Sequence, residues 1–486
     1  MKYASTLTLT SGPASAVASV EASARRGIPH WSMAGLTGTL ERIRACLVQS
    51  GFSIPFATVL AHVTPAGKKA EPQMDLAIAA SLLSALELLP QNSILLAHSP
   101  AVIGCLSLSG NILPAGDLAP MLLSAARAGV RTVVVPESQK NQAVIPDLKY
   151  AFARSIQDLM KPLVELEGRA ARFEIKTQDS EMDYLRLPES VERAVAIASA
   201  GWHSILLMGP PGTGKSSCAR AIAGLLPPPD ETEAIEIRSI HPEMGNTISR
   251  PVRIPHHSST LTALLGGGNP VRAGEVTRAH NGLLILDELA EFSRPVLQSL
   301  REPVQEQIVR ISRGNDSAIL PARFLLAATS NPCPCGHRDD PRTRCTCGDH
   351  QIRSYIQKIT GPLLDRLDLQ VDVPAAGGAE ISSHVTKIRV ARAISRQKHR
   401  FGKGSLRFNG LLPPDRLKDM ISLSQSGRKY LEGVCAPSFR RLHSLLRVSR
   451  TIADLDDCEE VHDSHLLEAF HYSCSDYFRI NGPGNA

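Results

Sequence analysis

HSILLMGPPGTGKSSCARAIAGLL, residues 203–226, decides the fold. SILLM is an apolar run of strand length. GPPGTGKS follows at once, and SSCARAIAGLL has the small and aliphatic character of a helix packed on a sheet. Strand, glycine loop and helix together meet the P-loop pattern in full. Its glycines let backbone N–H groups wrap phosphate at a helix N-terminus. Gly209, Pro210, Pro211, Gly212, Thr213, Gly214, Lys215, Ser216 and Ser217 are the expected nucleotide contacts, with ATP as ligand. Lys215 would reach the β- and γ-phosphates, and Ser216 would give its hydroxyl to Mg²⁺.

The neighbouring segments extend that reading. GLLILDE (282–288) is a buried strand ending in two carboxylates at the end where open α/β sheets bind ligands. Asp287 would hold Mg²⁺ through water, and Glu288 would polarise the attacking water, which makes hydrolysis the expected reaction. ARFLLAATSN (322–331) is a second buried strand. It ends in Asn331, which needs a polar partner such as the γ-phosphate or that water. LDLQVDVP (367–374) closes the series. Buried strands alternating with helices, SVERAVAIASAG (190–201) among them, predict a parallel sheet with helices on both faces. Arg366 in GPLLDRLDLQ and Arg440 in SFRRL are candidate arginines for the transferred phosphate, although either alone also reads as a surface residue.

The first 170 residues or so alternate short strands (57–63, 131–136) with helices. Among the helices DLAIAASLLSALELL (75–89) has the length and content of a buried one. A polar stretch at 174–184 leads into the P-loop region. After Pro374 the chain is basic and helical to its end, with SHVTKIRVARAISRQKHR (383–400) and the amphipathic FRRLHSLLRVSRTIADL (439–455). The basic run from Lys387 to Arg407 reads as a solvated helix face.

Hydrophobic residues make up 43% of the 486 and charged residues 21%, enough to bury large cores in two or three domains. A net charge of +6 permits a nucleic-acid partner without demanding one, and 4% aromatics argue against base-stacking platforms. No secretory signal is expected. The longest apolar stretch, Leu76 to Leu89, is too short to span a bilayer and is broken by Glu87, so no membrane partner is expected and a cytoplasmic location with reduced thiols is.

NPCPCGHRDDPRTRCTCGDH (331–350) holds four of the ten cysteines as two close pairs, Cys333/Cys335 and Cys345/Cys347. Four thiolates on a short hairpin suit a closed tetrahedral Zn²⁺ site, with His337 or His350 able to replace one ligand. Unpaired thiols and disulfides are the alternatives. Arg338, Arg342, Arg344 and Arg353 make the loop basic, so it reads either as a projection toward DNA or a neighbouring subunit, or as a stapled loop. IVRISRGNDSAILPARF (308–324) reads as a hairpin that offers Arg310 and Arg313 to phosphates, or as a solvated turn.

In order, these motifs resemble an AAA+ ATPase, specifically the YifB/ComM family of the magnesium-chelatase-like branch. GPPGTGKS, IPHHSSTLTALLGGGNPVRAGEVTRAHNGLLILDELAEF (254–292), LREPVQEQIVRISR (300–313), NPCPCG (331–336), TGPLLDRLDLQVDVP (360–374) and LLRVSRTIADL (445–455) carry the resemblance. It implies an α/β fold in three parts. These are a Lon/S5-like α+β domain over residues 1–172, an AAA+ α/β domain over 185–380 with the cysteine hairpin at 331–350, and a C-terminal helical lid over 381–486. It also implies that Asn331 is a sensor, that Arg366 is a finger reaching a neighbour's ATP, and that Arg440 is the lid's sensor arginine. The long interval between Lys215 and Asp287 leaves room for a loop facing a central pore. A homo-hexameric ring acting on DNA follows, an ATPase and helicase that drives branch migration during natural transformation. The alternative is a magnesium-chelatase-like remodeller of protein complexes. A Lon-like protease is disfavoured because no Ser–Lys dyad is recognisable.

Overall fold

The computed structural model describes residues 2–12, 15–33, 38–65, 70–142, 145–146, 148–168, 173–177, 187–268, 271–313, 316–338, 340–359, 363–375, 383–402, 407–433 and 438–479. Most of the polar stretch at 174–184 and the tip of the 308–324 hairpin lie outside these residues. The side chain of Arg313 does too.

Two compact units form. The first takes Met1–Glu174 together with Asp230–Ile248 and Arg310–Leu320. Its core is an eight-stranded mixed sheet. The spatial order is Leu166–Glu167, Lys149–Ala153, Thr132–Pro136, Ala101–Val102, Lys2–Leu9, Val17–Arg26, Ala57–Thr64, His30–Met33. Side chains alternate across it with period two. Val102, Val134 and Ala151 join the core formed with the helices Thr39–Gln49 and Asp75–Ala85. Ala101, Val133, Val135 and Tyr150 join the core of the helix Leu118–Arg127. The helix predicted over 75–89 stops at Ala85, because Glu87 takes a left-handed conformation (φ 58°) that ends the hydrogen-bond ladder.

Residues 230–248, inside the interval expected to hold a pore-facing loop, fold as part of this unit. A capping box of Asp230 and Glu233 starts the helix Glu231–Ile240. Ile235 of that helix packs with Leu118 and Leu122, and Arg238 pairs with Asp117 at 2.8 Å.

The second unit takes Ile175–Pro229, Ser249–Val309 and Pro321–Ala486. Five strands form its sheet: β1 (Ile205–Met208), β2 (Val252–Arg253), β3 (Leu283–Leu286), β4 (Leu325–Ser330) and β5 (Leu369–Asp372). They are all parallel in the order β2-β3-β4-β1-β5. The central strands carry no exposed residue, as their unbroken aliphatic runs predict. Helices α1 (Glu189–Gly201) and α2 (Lys215–Leu225) flank β1 in the sequence. Helix α3 (Asp349–Ile359) follows the cysteine hairpin.

The C-terminal helices are α4 (Ser383–Phe401), α5 (Gln425–Gly433), α6 (Phe439–Leu455) and α7 (Asp463–His471). Their apolar faces enter the same core as the sheet, with Val390, Val448, Ile452 and Leu466 beside Ile205 and Ile285. Fully buried Asp454 on α6 ties α6 to α4 and to Asn409. It accepts from Arg400 on α4, from Arg450 at 3.0 Å and from Asn409 at 2.9 Å. Arg193 on α1 reaches Glu468 at 2.9 Å and Asp456 at 2.8 Å.

Candidate nucleotide site

Strand register assembles the site. Leu286 stands opposite Ala328, so Asp287 emerges beside Thr329. Met208 stands opposite Ser330, so Gly209 and Asn331 leave the sheet side by side, and Gly209 N–H donates to the Ser330 carbonyl at 3.3 Å. The loop, the acidic pair and the asparagine therefore meet at the carboxyl ends of β1, β3 and β4, where chain order reverses. A Cβ on Gly209 would come within 2.3 Å of the Val373 carbonyl oxygen, so only glycine fits. Gly214, the N-cap of α2, is left-handed at φ 80°.

Buried Lys215 donates to the carbonyls of Gly209 (2.8 Å) and Pro210 (2.7 Å). Burial pushes its pKa down, against the opposing pull of Asp287 and Glu288. Ser216 Oγ donates to Asp287 at 2.8 and 3.0 Å. Thr329 Oγ1 donates to Asp287 at 2.5 Å and accepts the Glu288 N–H at 3.0 Å. Thr329 thus fixes both acidic residues. Glu288 sits in the left-handed region (φ 56°, ψ 54°), a conformation disfavoured for glutamate that collects at functional sites. Its carboxylate is half exposed, 4.0 Å from His257 Nδ1. Burial also pushes the Tyr355 hydroxyl, beside Ser330, up to about 12.

An ammonium, a helix N-terminus, a hydroxyl and two carboxylates converge on one loop. This arrangement suits a polyphosphate with a divalent cation. Ser216 Oγ and the Asp287 carboxylate, hydrogen-bonded at 2.8 Å, are hard oxygen donors of the kind Mg²⁺ takes directly or through water.

The two candidate arginines lie together. Arg366 Nη2 and Arg440 Nη2 donate to the same Gln305 Oε1, at 2.9 and 3.0 Å. Partial burial lowers the Arg366 pKa, helped by the charges of Arg440 and Arg301. With His443 and Arg447 they line a cleft of about 540 Å³ that no P-loop residue lines among the described residues.

All four clustered cysteines are free thiols, with sulfurs within 4.8 Å of one another. Cys333 and Cys335 are 3.4 Å apart, Cys333 and Cys345 3.7 Å, and Cys335 and Cys345 3.5 Å. Tetrahedral Zn–S bonds of about 2.3 Å require sulfurs about 3.8 Å apart. The donor set therefore fits Zn²⁺ without a histidine.

Three family models match the chain. The magnesium chelatase subunit ChlI covers residues 182–381, its C-terminal part 380–473, and a further model of the subunit 20–139. The chain is 33% identical to an uncharacterized protein YifB of Escherichia coli over 95% of both chains. It is 31% identical to the competence protein ComM of Haemophilus influenzae, over 93% of this chain and 94% of that one. The chain belongs to the YifB/ComM family of magnesium-chelatase-like AAA+ ATPases. A magnesium-chelatase 38 kDa subunit of Cereibacter sphaeroides is 28% identical over 57% of this chain and 86% of its own length.

ATP and Mg²⁺ are the ligands this family implies. In the magnesium-chelatase-like frame, the hairpin Ile308–Arg313/Asp316–Pro321 follows the acidic strand as expected, and Arg310 on it is exposed. No helix among the described residues is long and apolar enough to cross a membrane. Sequence reasoning missed Thr329, Gln305, His257 and Tyr355. Thr329 left a signal as one of two hydroxyls that end an aliphatic run in its strand. Gln305 left none, because its partners are 61 and 135 residues away.

Proposed function

We propose that this chain is an ATP-hydrolysing ring motor that moves DNA and drives branch migration when incoming DNA is recombined. The observation that carries the ATPase half is the Ser216–Asp287–Thr329–Glu288 chain of hydrogen bonds beside Lys215. In this reading Lys215 leaves the Gly209 and Pro210 carbonyls and takes up the β- and γ-phosphate oxygens. Ser216 and Asp287 hold Mg²⁺, which neutralises phosphate charge when bound. Glu288, positioned through its own N–H by Thr329, orients the attacking water. Asn331, level with Gly209, reaches the γ-phosphate or that water.

Arg366 is the finger that acts on the nucleotide of the next subunit, and Arg440, which shares its Gln305 acceptor, is the sensor arginine of the lid. Among the described residues no P-loop residue lines their cleft, which favours action of Arg366 in trans and hence a ring, with six subunits the family's usual number. The DNA half rests on the similarity to a competence protein and on the exposed Arg310 of the hairpin. The four-cysteine cluster holds structural Zn²⁺. A magnesium-chelatase-like remodelling motor is the second reading, favoured by the family models that cover the ATPase region.

A labelled four-way DNA junction tests the motor. The wild-type protein with ATP and Mg²⁺ resolves it into duplexes, and Glu288→Gln does not. An active ATPase that leaves the junction intact contradicts the DNA role and supports the remodelling reading.

A further inference from the structure

The cysteine hairpin touches the P-loop, and the contacts are specific. Arg342 Nη2 donates to the Pro211 carbonyl at 3.3 Å. Asp340 holds that guanidinium from behind, accepting Arg342 Nε at 2.9 Å and Nη2 at 3.1 Å. It also accepts the Arg342 backbone N–H at 3.0 Å and lies 3.1 Å from His337 Nδ1. Gly336, left-handed at φ 84°, packs so closely that a Cβ there would come within 2.9 Å of Pro211 Cδ. The same Cβ would lie 3.8 Å from Asn331 Cγ. Both contacts arise inside the loop that the four thiols close, between Cys335 and Cys345.

The three carbonyls at the start of the phosphate loop are thus each met by a cation. Lys215 takes those of Gly209 and Pro210, and Arg342 takes that of Pro211. The two cations differ in what nucleotide does to them. Lys215 must abandon its carbonyls to meet phosphate, whereas Arg342 has no such duty. Once Lys215 has turned away, the hairpin still restrains the loop.

We infer that the metal-closed hairpin is a clamp on the P-loop: Arg342 and Gly336 hold the Pro210–Pro211 segment in its phosphate-binding shape, so that metal at the four cysteines raises nucleotide affinity. This rests on the zinc reading of the cluster. The physical basis is preorganisation. A loop already in its bound shape loses less conformational entropy on binding. Metal bound by the four thiols would tie the two ends of this segment to each other, and with them the Arg342 anchor. Arg342 and Gly336 are positioning residues that touch the loop rather than the nucleotide.

The test measures zinc per chain by elemental analysis and affinity for a fluorescent ADP analogue by anisotropy, on the full-length protein. Wild type should hold one zinc per chain. Arg342→Ala should keep that zinc, keep the wild-type melting temperature within a few degrees, and bind the analogue at least fivefold more weakly. Arg342→Lys, which restores a single donor, should recover part of the loss. Cys345→Ser should lose both zinc and affinity. Wild-type affinity in both Arg342→Ala and Cys345→Ser, with zinc behaving as expected, overturns the clamp and leaves the zinc site standing. Wild-type protein without zinc overturns the metal's part in the clamp together with the zinc reading, whatever Arg342 does.

Discussion

Arg366 and Arg440, 74 positions apart in the chain, donate to one oxygen, Gln305 Oε1, at 2.9 and 3.0 Å. Two guanidinium groups this close repel, and at Arg366 the Asp365 carboxylate offsets part of that repulsion. The pair is therefore poised to gain from an anion. A γ-phosphate of a neighbouring subunit would supply one. Arg366→Ala should lower kcat for ATP hydrolysis by about 10³-fold or more, as loss of an arginine at the transferred phosphate does. Gln305→Ala should cost less, about tenfold, because both arginines remain. Steady-state kinetics with kcat and KM separated checks this. Equal losses in the two variants would mean that Gln305 does more than position.

Thr329 bonds both acidic residues from inside a buried strand. Thr329→Val keeps the shape and removes the hydroxyl. The Glu288 N–H then loses its partner and Asp287 loses a donor. A buried unsatisfied donor costs about 1–3 kcal/mol, which should appear in urea unfolding. kcat should fall well beyond what that instability explains, because Glu288 is no longer fixed. A variant with wild-type kcat would remove Thr329 from the site.

Lys215 gives a pH signature. Burial sets its pKa below the ordinary lysine value of about 10.4. The charged form is the one that meets phosphate. Affinity for nucleotide should therefore be full below that lowered pKa and fall as pH rises through it, earlier than for an exposed lysine. Folding shows the opposite slope: the unfolded chain binds the proton more tightly, so this group's penalty on stability shrinks as pH rises. Analogue binding across the alkaline range reads the first effect, and a fall that comes no earlier than for an exposed lysine contradicts it.

Asp454 is the shared acceptor of Arg400 on α4, Arg450 on α6 and Asn409. Asp454→Ala leaves Arg450 buried beside Arg400 without its carboxylate, with the carbonyls of Cys458 and Glu459 still accepting from it. Breaking a buried pair from one side typically costs about 3–5 kcal/mol. Thermal unfolding should show a large drop in Tm, with nucleotide affinity in the surviving folded fraction little changed.

The sheet was legible because its strands are buried on both faces and read as unbroken aliphatic runs. β1, β3 and β4 fall inside the segments expected. The P-loop residues and the acidic pair were legible for a related reason: phosphate binding needs its groups on consecutive residues. Two kinds of feature were not. Gln305 acts on partners brought close only by the fold, so no local pattern marks it, and the sequence shows Thr329 only as a hydroxyl near a strand end and Arg342 only as one basic residue of its loop. The helix Glu231–Ile240 has an ordinary capping box and apolar face, and nothing in either says that it packs against Leu118 and Leu122 of the first unit. The helix after Asp75 was read four residues too long, because LELL continues its apolar pattern past the left-handed turn at Glu87.

The most direct test of the central claim is ATP hydrolysis by the purified protein without DNA, with single-stranded DNA and with a branched junction, beside Glu288→Gln. The proposed motor predicts hydrolysis stimulated severalfold by DNA, most by the junction, and abolished in Glu288→Gln. Hydrolysis that is abolished in Glu288→Gln yet indifferent to every DNA would contradict the DNA motor and direct the search to protein partners.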